Sequence, residues 1–290
     1  MPKVSLVETT TCRVGEGAHW DEREQALFYL DIIGRKVHRY DPEAGTTRSW
    51  PTPANVGAMA FREAGGLVLG MNDCFALLDL ESGQVERIVE CGRAATGPIN
   101  DGKADAAGRF IVGQCGPGLE DPLPSGGIFA LAPDGELNRL ASGIHISNSV
   151  CFSADGRTLY YADSHTSCVC ALDYDPDTGA ASNKHLFTDT SSLGGVPDGA
   201  TPDADGLIWM AVFGSGQVVA FRPDGSVERS IELPVKLVSS VAFGGPDLDR
   251  LYVTTLDGPE LGEPAEENGG AVFMIEDLGT RGLPEMRFRG

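Results

Sequence analysis

The chain has 290 residues, of which 41% are hydrophobic and 38 are glycine, and its formal net charge is −20. This hydrophobic content is enough for a substantial core, and the abundant glycine favours many tight turns over long helices. The acidic balance argues against nucleic acid or an anionic membrane surface as a partner, since either would require a basic patch.

The N-terminal stretch and the cysteines indicate the compartment. The stretch MPKVSLVETTTCRVGEG lacks the apolar segment of a signal peptide, and no apolar run approaches the roughly 18 residues of a membrane span. The seven cysteines are scattered, without a Cys-x-x-Cys pair. We therefore expect a reduced, cytoplasmic protein that acts on a small molecule, and the oligomeric state stays open.

An internal repeat runs along the chain. Six segments share a turn rich in Asp, Gly or Glu followed by a short apolar strand, and their starts are separated by 42, 43, 48, 50 and 43 residues. They begin at Trp20, Arg62, Asp105, Ser153, Asp203 and Pro246. A second strand and a second turn follow each segment, as in KVHRYDPEAG and VVAFRPDG.

A unit of about 45 residues with four short strands is typical of a propeller blade. The sequence therefore predicts an all-β, six-bladed β-propeller in one domain over residues 1–290. A β-sandwich or a solenoid is the alternative, and it explains the regular spacing less well. Either KVSLVE (3–8) or EMRFRG (285–290) is expected to complete the last blade, which would leave no open sheet edge.

Polar residues recur just before the repeat starts, in the strand expected to line the central channel. Successive blades offer Glu16, Gly57, Asn100 with Asp101, Asn148, Asp198, and Ser239 with Ser240. Two carboxylates and two carboxamides at one phase of the repeat indicate a hard divalent cation such as calcium, magnesium or manganese. The alternative is that these residues satisfy backbone groups in turns, as we expect of the nearby Asp205-Gly206 pair.

At these residues the sequence resembles the senescence marker protein/regucalcin/gluconolactonase family of six-bladed propellers. The resemblance covers nearly the whole chain and rests on GEGAHW, NDGKADAAGRF, SNSVCFSADGRTLYYADS, DYDPDTGAASNKHLF, PDGATPDADGLIWMAVF and FGGPDLDRLYVTT. It implies one divalent metal bound by Glu16, Asn148 and Asp198, with Asn100 reaching the metal or the substrate. Calcium is favoured, with magnesium, manganese or zinc as alternatives. The activity it implies is hydrolysis of sugar lactones.

The sequence departs from that family at positions where the resemblance implies contact with the substrate. Pro98 stands where many of these lactonases have an arginine, and Gln114-Cys115 replaces the usual Thr-Met. We therefore expect the substrate to be a lactone less polar than a sugar lactone, or another electrophile. His19 and His145 lie near Glu16 and Asn148 in sequence, and each is assigned either to substrate binding or to a structural role in a loop.

Three functions follow from this pattern. The leading hypothesis is a metal-dependent hydrolase that opens a cyclic ester, with Asp198 as metal ligand and general base. The second is a hydrolase of another electrophile, either a carbon–carbon bond next to a carbonyl or a phosphoester. The third is a calcium-binding propeller without catalysis.

Overall fold

The structure is a computed structural model that describes residues 2–90, 97–118 and 123–290. Its strands form six four-stranded antiparallel sheets. Helical structure in the described ranges is limited to the short 3-10 segments Ser164–Thr166, Ser191–Leu193 and Gly258–Leu261. Six such sheets are the blades of a six-bladed β-propeller, which confirms the predicted fold class. No helix in these ranges is long and apolar enough to cross a membrane.

The described chain divides into two compact units. The first unit comprises Met1–Pro51 and Thr190–Glu285, and the second comprises Thr52–Asp189 and Met286–Gly290. Each unit contains three of the sheets. That residues 1–290 act as one folding domain stays a prediction.

The first unit holds the first, fifth and sixth sheets in repeat order. The first sheet is β2 (Gly15–Asp21), β3 (Ala26–Asp31), β4 (Lys36–Asp41) and β5 (Thr46–Pro51). The fifth is β18 (Val196–Pro202), β19 (Ile208–Phe213), β20 (Gln217–Phe221) and β21 (Val227–Glu232). The sixth is β22 (Val238–Gly244), β23 (Arg250–Thr255), β24 (Val272–Glu276) and β1 (Lys3–Glu8).

The second unit holds the second, third and fourth sheets. The second sheet is β6 (Val56–Phe61), β7 (Leu67–Met71), β8 (Cys74–Leu78) and β9 (Val85–Glu90). The third is β10 (Ile99–Ala104), β11 (Phe110–Gln114), β12 (Gly126–Leu131) and β13 (Leu137–Ile144). The fourth is β14 (Ser147–Phe152), β15 (Thr158–Asp163), β16 (Cys168–Tyr174) and β17 (Ala181–Asp189).

Each unit has its own apolar core between neighbouring sheets. In the first unit Trp209, Val241 and Phe273 belong to one buried cluster. In the second unit Phe75 and Phe110 belong to another, with their rings edge to face at 6.1 Å. Burial of these side chains is the main favourable contribution to the stability of each unit.

The first strand of every sheet carries a one-residue β-bulge. In all six pairs formed by the first and second strands, the register shifts by one residue near the beginning of the first strand. The shifts lie between Glu16 and His19, Val56 and Ala58, Ile99 and Asp101, Asn148 and Cys151, Pro197 and Ala200, and Val238 and Val241. A bulge inserts an unpaired residue and changes the direction of its side chain, and bulges are common beside active sites.

The N-terminal segment completes the sixth sheet, as one of the two expectations for the termini predicts. β1 pairs antiparallel with β24, from Lys3 opposite Glu276 to Glu8 opposite Val272. The C-terminal residues instead lie in the second unit, where Phe288 is buried and exchanges backbone hydrogen bonds with Phe61 and Glu63. Of the two termini, only the N-terminal one closes the last sheet.

Asp203, at the start of the turn between β18 and β19, accepts four hydrogen bonds. The Asp203 carboxylate is fully buried and accepts hydrogen bonds from the backbone N–H groups of Asp205 and Leu207, at 3.0 and 2.8 Å. It also accepts from Trp209 Nε1 at 2.8 Å and from Thr280 Oγ1 at 3.1 Å. Asp205 is exposed at the tip of the same turn.

Replacing Asp203 should therefore be far more costly than replacing Asp205. We expect Asp203→Ala to lower the free energy of unfolding by about 3 kcal/mol or more, because it leaves buried donors without an acceptor. The matched control Asp205→Ala should change it by less than about 1 kcal/mol. Urea unfolding of both variants measures the difference, and equal effects would contradict the assignment.

Removal of the N-terminal strand should destabilise the first unit. Deleting residues 1–8 removes the pairing with β24 and the packing of Val4 and Val7 against the core clusters. We expect a loss of about 3 kcal/mol or more in unfolding free energy. The half-exposed Leu6 provides the control, since Leu6→Ser should cost less than about 1 kcal/mol. Thermal and urea unfolding that match the full chain would exclude this role.

Candidate functional site

The predicted site residues lie at the bulges. Glu16 and Asn148 are the last regularly paired residues before the bulge in their strands, and Asn100 and Asp198 lie inside it. Only 8% of Glu16, 7% of Asn148 and 7% of Asp198 are exposed. Polar residues buried in otherwise apolar strands need hydrogen-bond or ionic partners. Each of these residues therefore depends on the groups that surround it in its own unit.

In the first unit, Glu16 belongs to a locally tied bulge. Glu16 Oε2 accepts the Gly17 N–H at 2.9 Å, and Gly17 has a φ of 57°, in the left-handed region that glycine tolerates. The protonated Nδ1 of His19 donates to the Gly17 carbonyl at 3.0 Å. His19 is buried, with 3% of its surface exposed. Its observed contact holds the bulge that carries Glu16.

Ser239 and Ser240 on β22 connect the strands that carry the two carboxylates. Ser240 Oγ accepts the Ala18 N–H of β2 at 3.2 Å, and Ser239 Oγ donates to the Gly15 carbonyl at 2.5 Å. On the other side, a Cβ added to Gly199 would lie 2.6 Å from Ser240 Oγ. β22 therefore packs closely between β2 and β18. The repeat phase identifies both serines but gives no sign of this contact.

In the second unit, the structure brings Asn100 and Asn148 together. Asn100 Nδ2 donates to Asn148 Oδ1 at 2.8 Å and to the Ser147 carbonyl at 2.9 Å. Asn148 Nδ2 donates to Ser164 Oγ at 2.9 Å. Both amide hydrogens of Asn100 are thus used, so Oδ1 is the atom with which it can bind a substrate. Ser164 carries no sequence signal that marks it as a partner of Asn148.

Asp101 has a structural role beside this pair. Its Oδ1 accepts the Gly102 N–H at 2.7 Å, and its Oδ2 accepts the Val150 N–H of β14 at 2.8 Å. The carboxylate thereby links β10 to the bulge of β14.

Gly57 occupies the same position in the second sheet for a steric reason. A Cβ at this residue would lie 1.9 Å from the Ile99 carbonyl oxygen. No side chain fits there without moving β6 away from β10. The lack of a polar side chain at this position of the sheet therefore follows from close backbone packing.

His145 lies at the turn before β14 and is held by Asp163. Its Nδ1 donates to Asp163 Oδ2 at 2.8 Å, and its ring stacks on His165 with centroids 4.7 Å apart. The Asp163 carboxylate also accepts the backbone N–H groups of His145 and Ile146, each at 3.1 Å. The side chain of His145 is 22% exposed, so this imidazole is fixed in orientation and accessible to solvent.

The residues that depart from the family pattern form one small network. The Cys115 N–H donates to the Pro98 carbonyl at 2.9 Å, and Gln114 Nε2 donates to the Gly97 carbonyl at 2.8 Å. The Gly116 N–H donates to the His145 carbonyl at 2.8 Å. Gln114 and Cys115 are buried and hold the segment that leads into β10. Pro98 supplies no cationic group at the start of this strand.

The donors in the two units are of one chemical kind. The first unit offers the carboxylates of Glu16 and Asp198, and the second offers the carboxamide oxygens of Asn100 and Asn148. Oxygen donors of this type fit a hard divalent cation such as calcium, whereas a site for a softer metal would use thiolate or imidazole. Both carboxylates are buried, where a bound cation would offset the cost of desolvating their charge.

The amino-acid sequence is similar to those of known proteins over nearly its whole length. Residues 14–257 match the family described as the SMP-30/gluconolactonase/LRE-like region. A pentonolactonase of Haloferax volcanii is 35% identical over 98% of this chain and 97% of its own length.

Two solved structures are similar over nearly the whole chain. A luciferin-regenerating enzyme has a TM-score of 0.93 and 28% identity, and each chain is covered completely. A calcium-binding regucalcin of Agrobacterium tumefaciens has a TM-score of 0.88 and 27% identity, covering 98% of this chain and 97% of the other. With the matched motifs and the six sheets, these findings show that the chain belongs to the SMP-30/gluconolactonase/LRE-like family.

Proposed function

We propose that this chain is a divalent-metal-dependent lactonase that hydrolyses a cyclic ester to the open hydroxy acid. The observation that carries the proposal is the placement of Glu16, Asn148 and Asp198, each buried and each at the bulge of its own sheet. Family membership and the similarity to a pentonolactonase support the choice of a lactone as substrate.

We assign the metal ligands to Glu16, Asn148 and Asp198, with calcium as the favoured ion. The similarity to a calcium-binding regucalcin supports this choice, as does the all-oxygen donor set. When bound, the cation supplies Lewis acidity, which polarises the ester carbonyl and stabilises the negative charge that develops on its oxygen.

The chain's own residues handle the proton and the orientation of the substrate. Water attacks the carbonyl carbon while Asp198 accepts its proton; the carbon–oxygen bond of the ring then breaks, and the ring oxygen takes that proton. Asn100 holds Asn148 Oδ1 in place through its amide and offers its own Oδ1 to a substrate hydroxyl. We assign His19 to positioning Glu16. We assign His145, whose side chain is partly exposed, to contact with the substrate.

The substrate class is narrowed by Pro98. An arginine at this position would bind substrate hydroxyls or a carboxylate, and a proline cannot. We therefore expect lactones without a charged group and with few hydroxyls to be preferred. The similarity to a luciferin-regenerating enzyme favours an electrophile outside sugar metabolism as the second candidate.

Asp198 is tested by a change that keeps an oxygen donor but removes the base. We expect Asp198→Asn to lower lactone turnover by about 10²–10⁴-fold, because an amide cannot accept the proton. Bound calcium, measured by mass spectrometry, should stay within a few-fold of the original. The control Asp205→Asn lies in the turn of the same hairpin and should retain full activity.

The assay uses lactones of graded polarity, diketones and aryl phosphotriesters, each with metal-stripped protein and with protein reloaded with calcium, magnesium, manganese or zinc. Full turnover by Asp198→Asn with metal bound would refute its role as base. Turnover of only the diketones or the phosphotriesters would replace the lactonase proposal. Metal binding with no turnover of any compound would indicate a calcium-binding propeller without catalysis.

Asn100 is tested through its hydrogen bond to Asn148. We expect Asn100→Ala to weaken calcium binding by about 10–100-fold, because Asn148 loses the partner that orients its oxygen. The exposed Asn138 in the same sheet provides the control, and Asn138→Ala should leave the affinity unchanged. Isothermal titration measures both variants, and unchanged affinity in Asn100→Ala would remove this positioning role.

A further inference from the structure

A buried cluster beside the first sheet contains three side chains that the proposed lactonase site does not use. One ligand atom each from Cys12, Asp31 and His38 lies within 4.8 Å of the others. All three residues are buried, with exposed fractions of 1%, 6% and 2%. Cys12 is a free cysteine. Thiol, carboxylate and imidazole are the groups that bind zinc and similar ions in proteins.

The repeat separates what the fold requires from what this cluster adds. Asp31 has a counterpart in Asp163, because both carboxylates accept the backbone N–H groups of the two residues that enter the first strand of the sheet. With the same spacing along the chain, Ile144 stands at the position of Cys12 and Cys170 at that of His38. The fourth sheet therefore forms without a thiol at the position of Cys12 and without an imidazole at the position of His38.

His38 has one ring nitrogen that makes no hydrogen bond to the described residues. Nδ1 is hydrogen-bonded to Ser49 Oγ at 2.8 Å, and Nε2 is buried without a hydrogen-bond partner among the described residues. The tautomer with the proton on Nδ1 is favoured, because a buried N–H without an acceptor costs more than an unused lone pair. Nε2 therefore offers a lone pair.

Asp31 retains the capacity to bind a cation. Its Oδ1 accepts the N–H groups of Val14 and Gly34, at 3.1 and 2.9 Å. Its Oδ2 accepts one N–H, from Arg13 at 3.2 Å, and a carboxylate oxygen has two lone-pair positions. The backbone hydrogen bonds fix the orientation of the carboxylate, as is usual for metal ligands.

We propose that Cys12, Asp31 and His38 form a second metal site, which binds a divalent transition metal such as zinc through Cys12 Sγ, an Asp31 carboxylate oxygen and His38 Nε2. The site differs in chemistry from the all-oxygen set of Glu16, Asn148 and Asp198, because a thiolate and an imidazole select softer ions. Binding converts the Cys12 thiol to a thiolate, and its proton passes to solvent.

Cobalt tests the site, because only a sulfur ligand gives the near-ultraviolet charge-transfer band of a cobalt–thiolate bond. The full chain is produced in minimal medium with cobalt, so that this buried cluster loads as the protein folds. We expect the band in the unmodified chain and its loss in Cys12→Ala, with one equivalent of cobalt fewer per chain. His38→Gln should lose the same equivalent. The control Cys74→Ala, at another buried free cysteine, should keep the band.

Two results would overturn the proposal: absence of the band in the unmodified chain, or its survival in Cys12→Ala. Circular dichroism establishes that each variant is folded. If Cys12→Ala does not fold, X-ray absorption at the zinc edge of the unmodified protein decides, since the site requires one sulfur at about 2.3 Å. A spectrum with oxygen and nitrogen neighbours alone would exclude it.

Discussion

The one-residue bulge in the first strand of each sheet is the constraint on which the candidate chemistry depends. These strands are buried on both faces, so a regular ladder would leave their side chains in apolar surroundings. The extra residue breaks the ladder directly after Glu16 and Asn148, and it leaves Asn100 and Asp198 unpaired and free of the directions that a regular ladder imposes. Close packing then restricts the same position elsewhere, as Gly57 against the Ile99 carbonyl shows.

Within each unit, short hydroxyl and amide side chains hold the bulges. Ser240 connects two strands of the first unit, and Asn100 and Ser164 hold Asn148 in the second. Such contacts fix the orientation of a side chain before it binds a metal ion or a substrate, which reduces the entropy lost on binding. The carboxylates of Asp31, Asp163 and Asp101 act on backbone N–H groups instead. Asp31 does more than this, because the same carboxylate also belongs to the cluster with Cys12 and His38.

Most of the fold was predictable, because turn residues and alternating apolar strands are local signals that recur in each repeat. The same phase selected Glu16, Asn148 and Asp198 as candidate site residues. The sequence did not reveal the partners of these residues: Ser164 and the hydrogen bond between Asn100 and Asn148 arise from tertiary packing. It also left open which terminus completes the sixth sheet, since both segments have strand-like patterns. The cluster of Cys12, Asp31 and His38 was not predicted, because its members come from three separate segments of the chain.

The pairing of β1 with β24 has a consequence for synthesis of the protein. Residues 52–189 of the second unit are contiguous, so their three sheets can form while the ribosome is still extending the chain. The first unit waits, because its earliest strand must remain unpaired until its last strand has emerged. Contacts between such distant segments form slowly. During that interval β1 lacks its partner strand, and this segment is where a nascent chain would need protection from aggregation.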